Sequence, residues 1–199
     1  MAETIILASE SLSVETMLAN AGVAAEVDAA DLDDAAMEAP LQRSGTSPED
    51  VALILAETKA VEVSGRRPGA LVLGCEQTLA LGDEILHAPA DMEGARRRLL
   101  LLSGKAHQVN SAAVLARDGA IVWHEVGTAS IVMRRLDPRF IGRNLAQAGD
   151  AALQSAGAYR IDGPGIQLIE KIEGDCFTIL GLPLLALLVE LRRLGAIDG

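Results

Sequence analysis

The chain has 199 residues, half of them hydrophobic, two cysteines and a formal net charge of −11. That length suits one large domain or two interlocked lobes with a conventional core, and no apolar run approaches the roughly 20 residues of a membrane-spanning helix. The acidic balance speaks against nucleic acid or anionic lipid as a partner, because both are bound through clustered Lys and Arg.

Met1 to Ile6 carries an acid and no basic region, so it is expected to be no secretory signal, and a cytoplasmic location follows as the default. Cys75 and Cys176 lie far apart without metal-like spacing and are expected to be reduced core thiols. Arg96 to Arg98 and Arg134 to Arg135 fall inside regular patterns and read as solvated faces.

Ile5 to Ala8 predicts a buried strand, followed by a serine-rich loop and a helix from about Val14 to Asn20 that Gly22 stops. Glu26 to Pro40 lacks periodicity and reads as a strand edge passing into a loop. Ser47, Pro48 and Asp50 form a helix start, with Ser47 as N-cap. Val51, Ile54, Leu55, Thr58 and Val61 then make an apolar stripe that leaves Lys59 to one side. Leu71 to Leu73 predicts a buried strand ending at Gly74, and Leu79 to Leu86 a hairpin around Gly82 and Asp83. A helix from Asp91 to Leu102 comes next. Strands at Gln108 to Ala116 and Ile121 to Met133 flank an Arg117, Asp118, Gly119 turn. Asp137 and Pro138 start a helix that stops near Gly149. Short strands are expected at Ala158 to Ile161 and Ile166 to Glu170, and a last helix at Pro183 to Leu194. Strands mixed with helices and no internal repeat predict one α/β domain over residues 1–199, a mixed central sheet flanked by helices, with two lobes around a cleft.

In such sheets ligands bind beyond the carboxyl ends of strands, and three such ends carry polar residues: Ser9 to Ser13, Glu76 with Gln77, and Asp162. The serine loop opens a helix, where free N–H groups favour an anion, although on the residues alone ordinary capping by Ser11 or Ser13 is the favoured reading of those hydroxyls. Glu76 is placed to bind a divalent metal or activate water, or to be a solvated acid. Lys59 is a phosphate-neutralising cation or an exposed helix lysine. His87, His107 and His124 have no ligand spacing and read as structural or exposed.

The order of several segments resembles the Maf family, once described as septum-formation inhibitors. They are ILAS with Ser11, Lys59-Ala60, VLGCEQT (72–78), LSGKAHQV (102–109), AGAYRIDGPG (156–165) and IEGDCFTILGLPL (172–184), and together they run nearly end to end. The resemblance implies an α/β fold, often dimeric, that hydrolyses nucleoside triphosphates to the monophosphate and pyrophosphate with Mg²⁺ or Mn²⁺. It places Glu76 where a family aspartate accepts the proton of the attacking water. Gln77 stands at a position tied to substrate preference, and Lys59 at a phosphate-contacting lysine. Asp33 or Asp34 falls where an acid helps hold metal or substrate, Asp34 being the metal candidate beside Glu76. Asp162 stands where some members have Gln and others an acid.

The departures remove cations. Where the family has Ser-Pro followed by one or two arginines, this chain has Ser11, Leu12, Ser13 and Val14; where it has Lys-Pro, this chain has Ala88 and Pro89. Charge-assisted hydrogen bonds contribute about 1.5–3 kcal/mol each, so losing two or three predicts triphosphate handling weakened by about a hundredfold to a millionfold. Exchanging Asp for Glu at residue 76 moves the carboxylate by about 1 Å, which can cost on the order of a hundredfold. Three readings follow from the sequence: a pyrophosphatase with a weakened phosphate site, a silent relative that binds nucleotide or a protein partner, and an enzyme for a less charged substrate.

Overall fold

A computed structural model describes residues 3–198; Met1, Ala2 and Gly199, and with them the start of the Met1 to Ile6 stretch, lie outside the described residues. Seven strands form one mixed sheet. They are β1 (Ile5–Leu7), β2 (Ala25–Val27), β3 (Val72–Leu81), β4 (Glu84–Leu86), β5 (Ala106–Arg117), β6 (Ala120–Met133) and β7 (Ile169–Glu173). The order is β2-β1-β3-β5-β6-β7, with β4 paired to β3. β1 runs parallel to both β2 and β3, whereas β3–β4 and β6–β7 are antiparallel. The helices are α1 (Leu12–Asn20), α2 (Asp34–Arg43), α3 (Pro48–Arg66), α4 (Met92–Leu102), α5 (Pro138–Ala148), α6 (Cys176–Leu180) and α7 (Leu184–Arg193). No helix of the described residues is long and apolar enough to cross a membrane.

The chain divides into two compact units. The first comprises Met1–Gln77, Asn110–Gly127 and Asp175–Gly199, and the second Thr78–Val109 and Thr128–Gly174. In the first unit, the period-two alternation of strand side chains separates two apolar layers. Ile5, Leu7, Leu71, Leu73, Cys75, Ala113 and Leu115 share a cluster with Val14, Met17 and Leu18 of α1 and Leu184, Leu187 and Leu191 of α7. On the alternate positions, Ala112, Val114 and Ala116 pack on Ala52, Ala56 and Ala60 of α3, while Ile6, Ala8 and Val72 meet Val63. Each fully buried Leu or Ile in these layers contributes about 1.5–3 kcal/mol. The second unit buries Leu79, Leu86, Leu99, Leu102, Ile131, Met133, Ile141 and Leu145, with α4 packed on α5.

Local signals fix most boundaries. Ser47, Asp91 and Asp137 cap α3, α4 and α5 by accepting N–H bonds from Asp50, from Gly94, and from Arg139 and Phe140. Asp118 and Gly119 take φ of +52° and +78° in the two-residue turn that joins β5 to β6.

Five expectations are corrected. The Glu26 to Pro40 stretch holds a helix, α2, which has no buried side chain and so shows no apolar period. The buried face of α3 is Val51, Ala52, Leu55, Ala56, Ala60 and Val63, in place of the stripe through Ile54, Thr58 and Val61, because small side chains let the helix approach the sheet. β3 does not end at Gly74 but continues to Leu81, so Glu76 lies within a strand. Ala158 to Ile161 is irregular loop and Pro164–Leu168 a 3₁₀ helix, β7 beginning only at Ile169; Asp162 is therefore on a loop and not at a strand end. Cys75 is buried as expected, but Cys176 is exposed, at the start of α6 where Asp175 caps the helix.

Candidate active site

The site in the first unit begins with a contact between helix and strand. A Cβ built on Gly74 would lie 2.3 Å from the Ala56 carbonyl oxygen and 2.8 Å from the Ala60 Cβ, so only glycine lets α3 lie this close to β3. That contact brings Lys59, one residue before Ala60, to Glu76, two residues after Gly74. The Lys59 ammonium donates to Glu76 Oε2 at 2.6 Å and to Asp34 Oδ2 at 2.7 Å. The lysine side chain is only 13% exposed, against 22% for Glu76 and 48% for Asp34, so it is no solvated helix lysine. Burial pulls the Lys59 pKa down, but the charges and hydrogen bonds of Glu76 and Asp34 outweigh it and leave the pKa above that of ordinary lysine. Lys59 is thus a firmly held cation between two carboxylates.

The structure also separates Asp33 from Asp34. Asp33 is the N-cap of α2, accepting from the Ala36 N–H at 3.0 Å, while Asp34 reaches Lys59. Glu76 Oε1 accepts the Gln77 backbone N–H at 2.8 Å.

The serine loop reaches the same strand. Ser9 and the Cys75 thiol are hydrogen-bonded, and burial pushes that thiol up to about 11, so it stays protonated at neutral pH. Ser9 Oγ accepts the Ser11 N–H at 3.2 Å, and Ser11 Oγ caps α1 by accepting the Val14 N–H at 3.4 Å. Ser13 lies half-buried in the first turn. Val14 is 1% exposed and belongs to the core with Met17 and Leu18, so an arginine on this backbone would point into hydrocarbon.

Gln77 is held by its amide nitrogen, which donates to Ser111 Oγ at 2.8 Å, the Thr178 carbonyl at 3.0 Å and the Ile179 carbonyl at 3.1 Å. Ser111 Oγ in turn donates to the Thr178 carbonyl at 2.7 Å. The sequence gives no sign of this role for Ser111, two residues beyond the 102–109 motif, or for Thr178, inside the 172–184 motif; only long-range packing shows what they hold.

In the second unit, Asp162 is 44% exposed and forms a two-point ion pair with Arg160, at 3.0 Å and 2.7 Å. The Arg160 guanidinium holds the Asp162 carboxyl below the ordinary carboxylate range. Ala88 is exposed, between β4 and Pro89. His107 is buried, whereas His87 and His124 are exposed.

Among the described residues no group of three or more His, Cys, Asp or Glu could enclose a metal by itself. Two hard carboxylates that converge on one cation do fit Mg²⁺, which is commonly held by one or two carboxylates together with substrate phosphates.

Residues 4–194 match the family profile described as Maf-like protein. The chain belongs to that family. It is similar to the "7-methyl-GTP pyrophosphatase" of Mesorhizobium japonicum, with 68% identity over 199 residues covering all of both chains. It is 58% identical to the protein of the same name from Brucella abortus, again over all of both chains. A "Nucleoside triphosphate pyrophosphatase" of Paramagnetospirillum magneticum is 47% identical over 190 residues, 96% of this chain and 98% of that one. This Maf-like chain therefore has full-length relatives under both names.

Proposed function

We propose that this protein is a pyrophosphatase that cleaves 7-methyl-GTP, or a close relative of it, to the monophosphate and pyrophosphate. As an enzyme it is a hydrolase acting on acid anhydrides, and its full-length relatives at 47–68% identity bear names for that chemistry. The observation that carries the site assignment is the Lys59 ammonium clamped between Glu76 and Asp34.

Glu76 takes a proton from water, the oxygen attacks the α-phosphorus, and the bond from that phosphorus to the bridging oxygen breaks as pyrophosphate leaves. Lys59 exchanges its carboxylate partners for phosphate oxygens, which frees Glu76 to act as the base. The Ser9 to Ser13 loop and the start of α1 offer N–H and hydroxyl groups to the same polyanion. Gln77, its amide nitrogen already engaged, presents its carbonyl oxygen to the nucleotide. Glu76 and Asp34 would hold the divalent ion, Mg²⁺ or Mn²⁺, which when bound neutralises charge on the phosphate oxygens.

Substrate chemistry also accounts for the reduced set of cations. A guanine methylated at N7 carries a positive charge, so the nucleotide brings part of the neutralisation that Val14 and Ala88 do not supply. Purified protein with Mg²⁺ or Mn²⁺ and a panel of 7-methyl-GTP, GTP, dTTP and UTP is expected to release pyrophosphate fastest from 7-methyl-GTP. Binding of that nucleotide without turnover would favour the silent reading instead.

A further inference from the structure

Asp34, Lys59 and Glu76 all belong to the first compact unit, and three elements deliver them. Lys59 comes from the interior of α3, Glu76 from β3 and Asp34 from the first turn of α2. The ammonium lies 2.6 Å from Glu76 Oε2 and 2.7 Å from Asp34 Oδ2, so these two oxygens converge on one point. A cation is therefore already seated where the carboxylates meet, and it is the protein's own. Glu76 Oε1 is engaged separately by the Gln77 N–H, which leaves Oε2 as the oxygen through which Glu76 meets a cation. Arg66 and Arg67, at the end of the same helix, are committed to Asp28 and Glu26 instead.

Size and charge decide what this place can hold. A divalent ion such as Mg²⁺ bound through both oxygens would stand about 2.0–2.1 Å from each, in the space that the ammonium fills. Bound to only one of them, it would face a positive charge a few ångströms away in nearly buried surroundings, where such repulsion is poorly screened. Metal alone is thus opposed by Lys59. The converse holds for phosphate. An anion that drew Lys59 away by itself would leave Glu76 and Asp34 facing each other without a counter-ion, and would add its own negative charge beside them. Each ligand alone breaks the neutralisation, and the two together restore it, because Lys59 passes to phosphate as the carboxylates pass to metal. Asp34 is able to follow that change of partner: it is 48% exposed and opens α2, which has no buried side chain.

We infer that Lys59 is a place-holder for the divalent cation, closing the carboxylate pair to metal in the free protein and opening it only when nucleotide phosphates take the ammonium. Metal and nucleotide then bind as a coupled pair, each raising the affinity for the other by the same factor. The inference rests on the proposed reading of Lys59 as a phosphate contact and of Glu76 and Asp34 as metal holders. It goes beyond that reading in the binding order, since neither ligand binds tightly without the other.

The test measures binding to full-length wild type, Lys59→Met and Asp34→Asn, with cooperative thermal unfolding as the check on folding and Lys59→Gln as the second neutral variant should Lys59→Met fail it. Mn²⁺ alone is titrated by electron paramagnetic resonance. The α,β-methylene analogue of GTP, whose P–C–P link resists hydrolysis, is titrated by calorimetry with a chelator and with excess Mn²⁺, and the ratio of its two affinities is the coupling factor. Without nucleotide, Lys59→Met is expected to bind Mn²⁺ about tenfold to a hundredfold tighter than wild type, the worth of one charge-assisted bond. The coupling factor should be larger in wild type than in Lys59→Met by about the same amount. Asp34→Asn should bind the analogue with Mn²⁺ more weakly than wild type. Equal Mn²⁺ affinities of wild type and Lys59→Met without nucleotide, a coupling factor no larger in wild type, or an Asp34→Asn protein equal to wild type would each overturn the inference. The Mn²⁺ comparison uses no nucleotide, so it decides on the place-holder even where wild type releases no pyrophosphate and the proposed function fails. A wild type that cleaves 7-methyl-GTP yet binds Mn²⁺ alone as tightly as Lys59→Met keeps the function and loses the inference.

Discussion

Replacing Lys59 with Met removes the charge while keeping most of the aliphatic stem, and so tests the clamp on which the proposed chemistry depends. Its bond to Glu76 is the more enclosed of the two, and a charge-assisted bond of that kind contributes about 1.5–3 kcal/mol. The bond to Asp34 is half exposed and contributes about 0–1 kcal/mol. The freed carboxylates regain water, so the net loss of stability is expected to be about 2 kcal/mol. At roughly 2–4 °C per kcal/mol for a chain of this size, Tm should fall by about 4–8 °C. Catalysis should suffer more. An ammonium placed on developing phosphate charge is worth about 3–4 kcal/mol of transition-state stabilisation, or two to three decades in kcat/KM. Pyrophosphate release from 7-methyl-GTP under saturating Mg²⁺, with the folded state checked by circular dichroism, measures both. A Lys59→Met protein that is folded and retains kcat/KM within about threefold would refute the assignment of Lys59 to phosphate.

Further outcomes follow from the same geometry. Gly74→Ala forces a methyl group against the Ala56 carbonyl and Ala60, and is expected to cost about 1–3 kcal/mol in a denaturant midpoint while reducing kcat by parting Lys59 from Glu76. Val14→Arg, which restores a family cation on paper, buries a guanidinium in the α1 core and should lower stability by about 3 kcal/mol or more without raising kcat/KM. Burial lowers the His107 pKa to about 4, below the ~6.5 of an unfolded histidine, so the unfolded state binds the extra proton first. Stability is therefore full above about pH 6.5 and falls as pH drops toward 4, by about 3 kcal/mol from this residue; chemical denaturation at stepped pH should show that slope, and His107→Gln should flatten it.

Much of the fold was legible because it is written locally. Ser47, Asp91 and Asp137 announce helix starts by the bonds they accept, and Asp118-Gly119 can turn a hairpin wherever it falls. α2 was missed because none of its side chains is buried, and a helix without a buried face leaves no period to read. The short apolar run at Ala158 to Ile161 reads as a strand in sequence, but Tyr159 is buried because it turns inward to His107 from an irregular loop. In the candidate site, the order of motifs points to Glu76, Lys59 and Asp34, whose side chains the structure brings together. Ser111 and Thr178 escaped because they are brought to Gln77 across 34 and 101 positions of sequence, a distance that no spacing rule spans.

The contact of Gly74 with Ala56 and Ala60 has a consequence for how the charged groups can evolve. Its parts are a methyl group, a peptide carbonyl and a missing side chain, none of which has a torsion to rearrange. The lysine and glutamate thus hang from a frame that is indifferent to what they carry, and acids or cations near β3 can be exchanged one at a time while the backbone stays where it is. A lineage can drift from one anionic substrate to a less anionic one without rebuilding its scaffold.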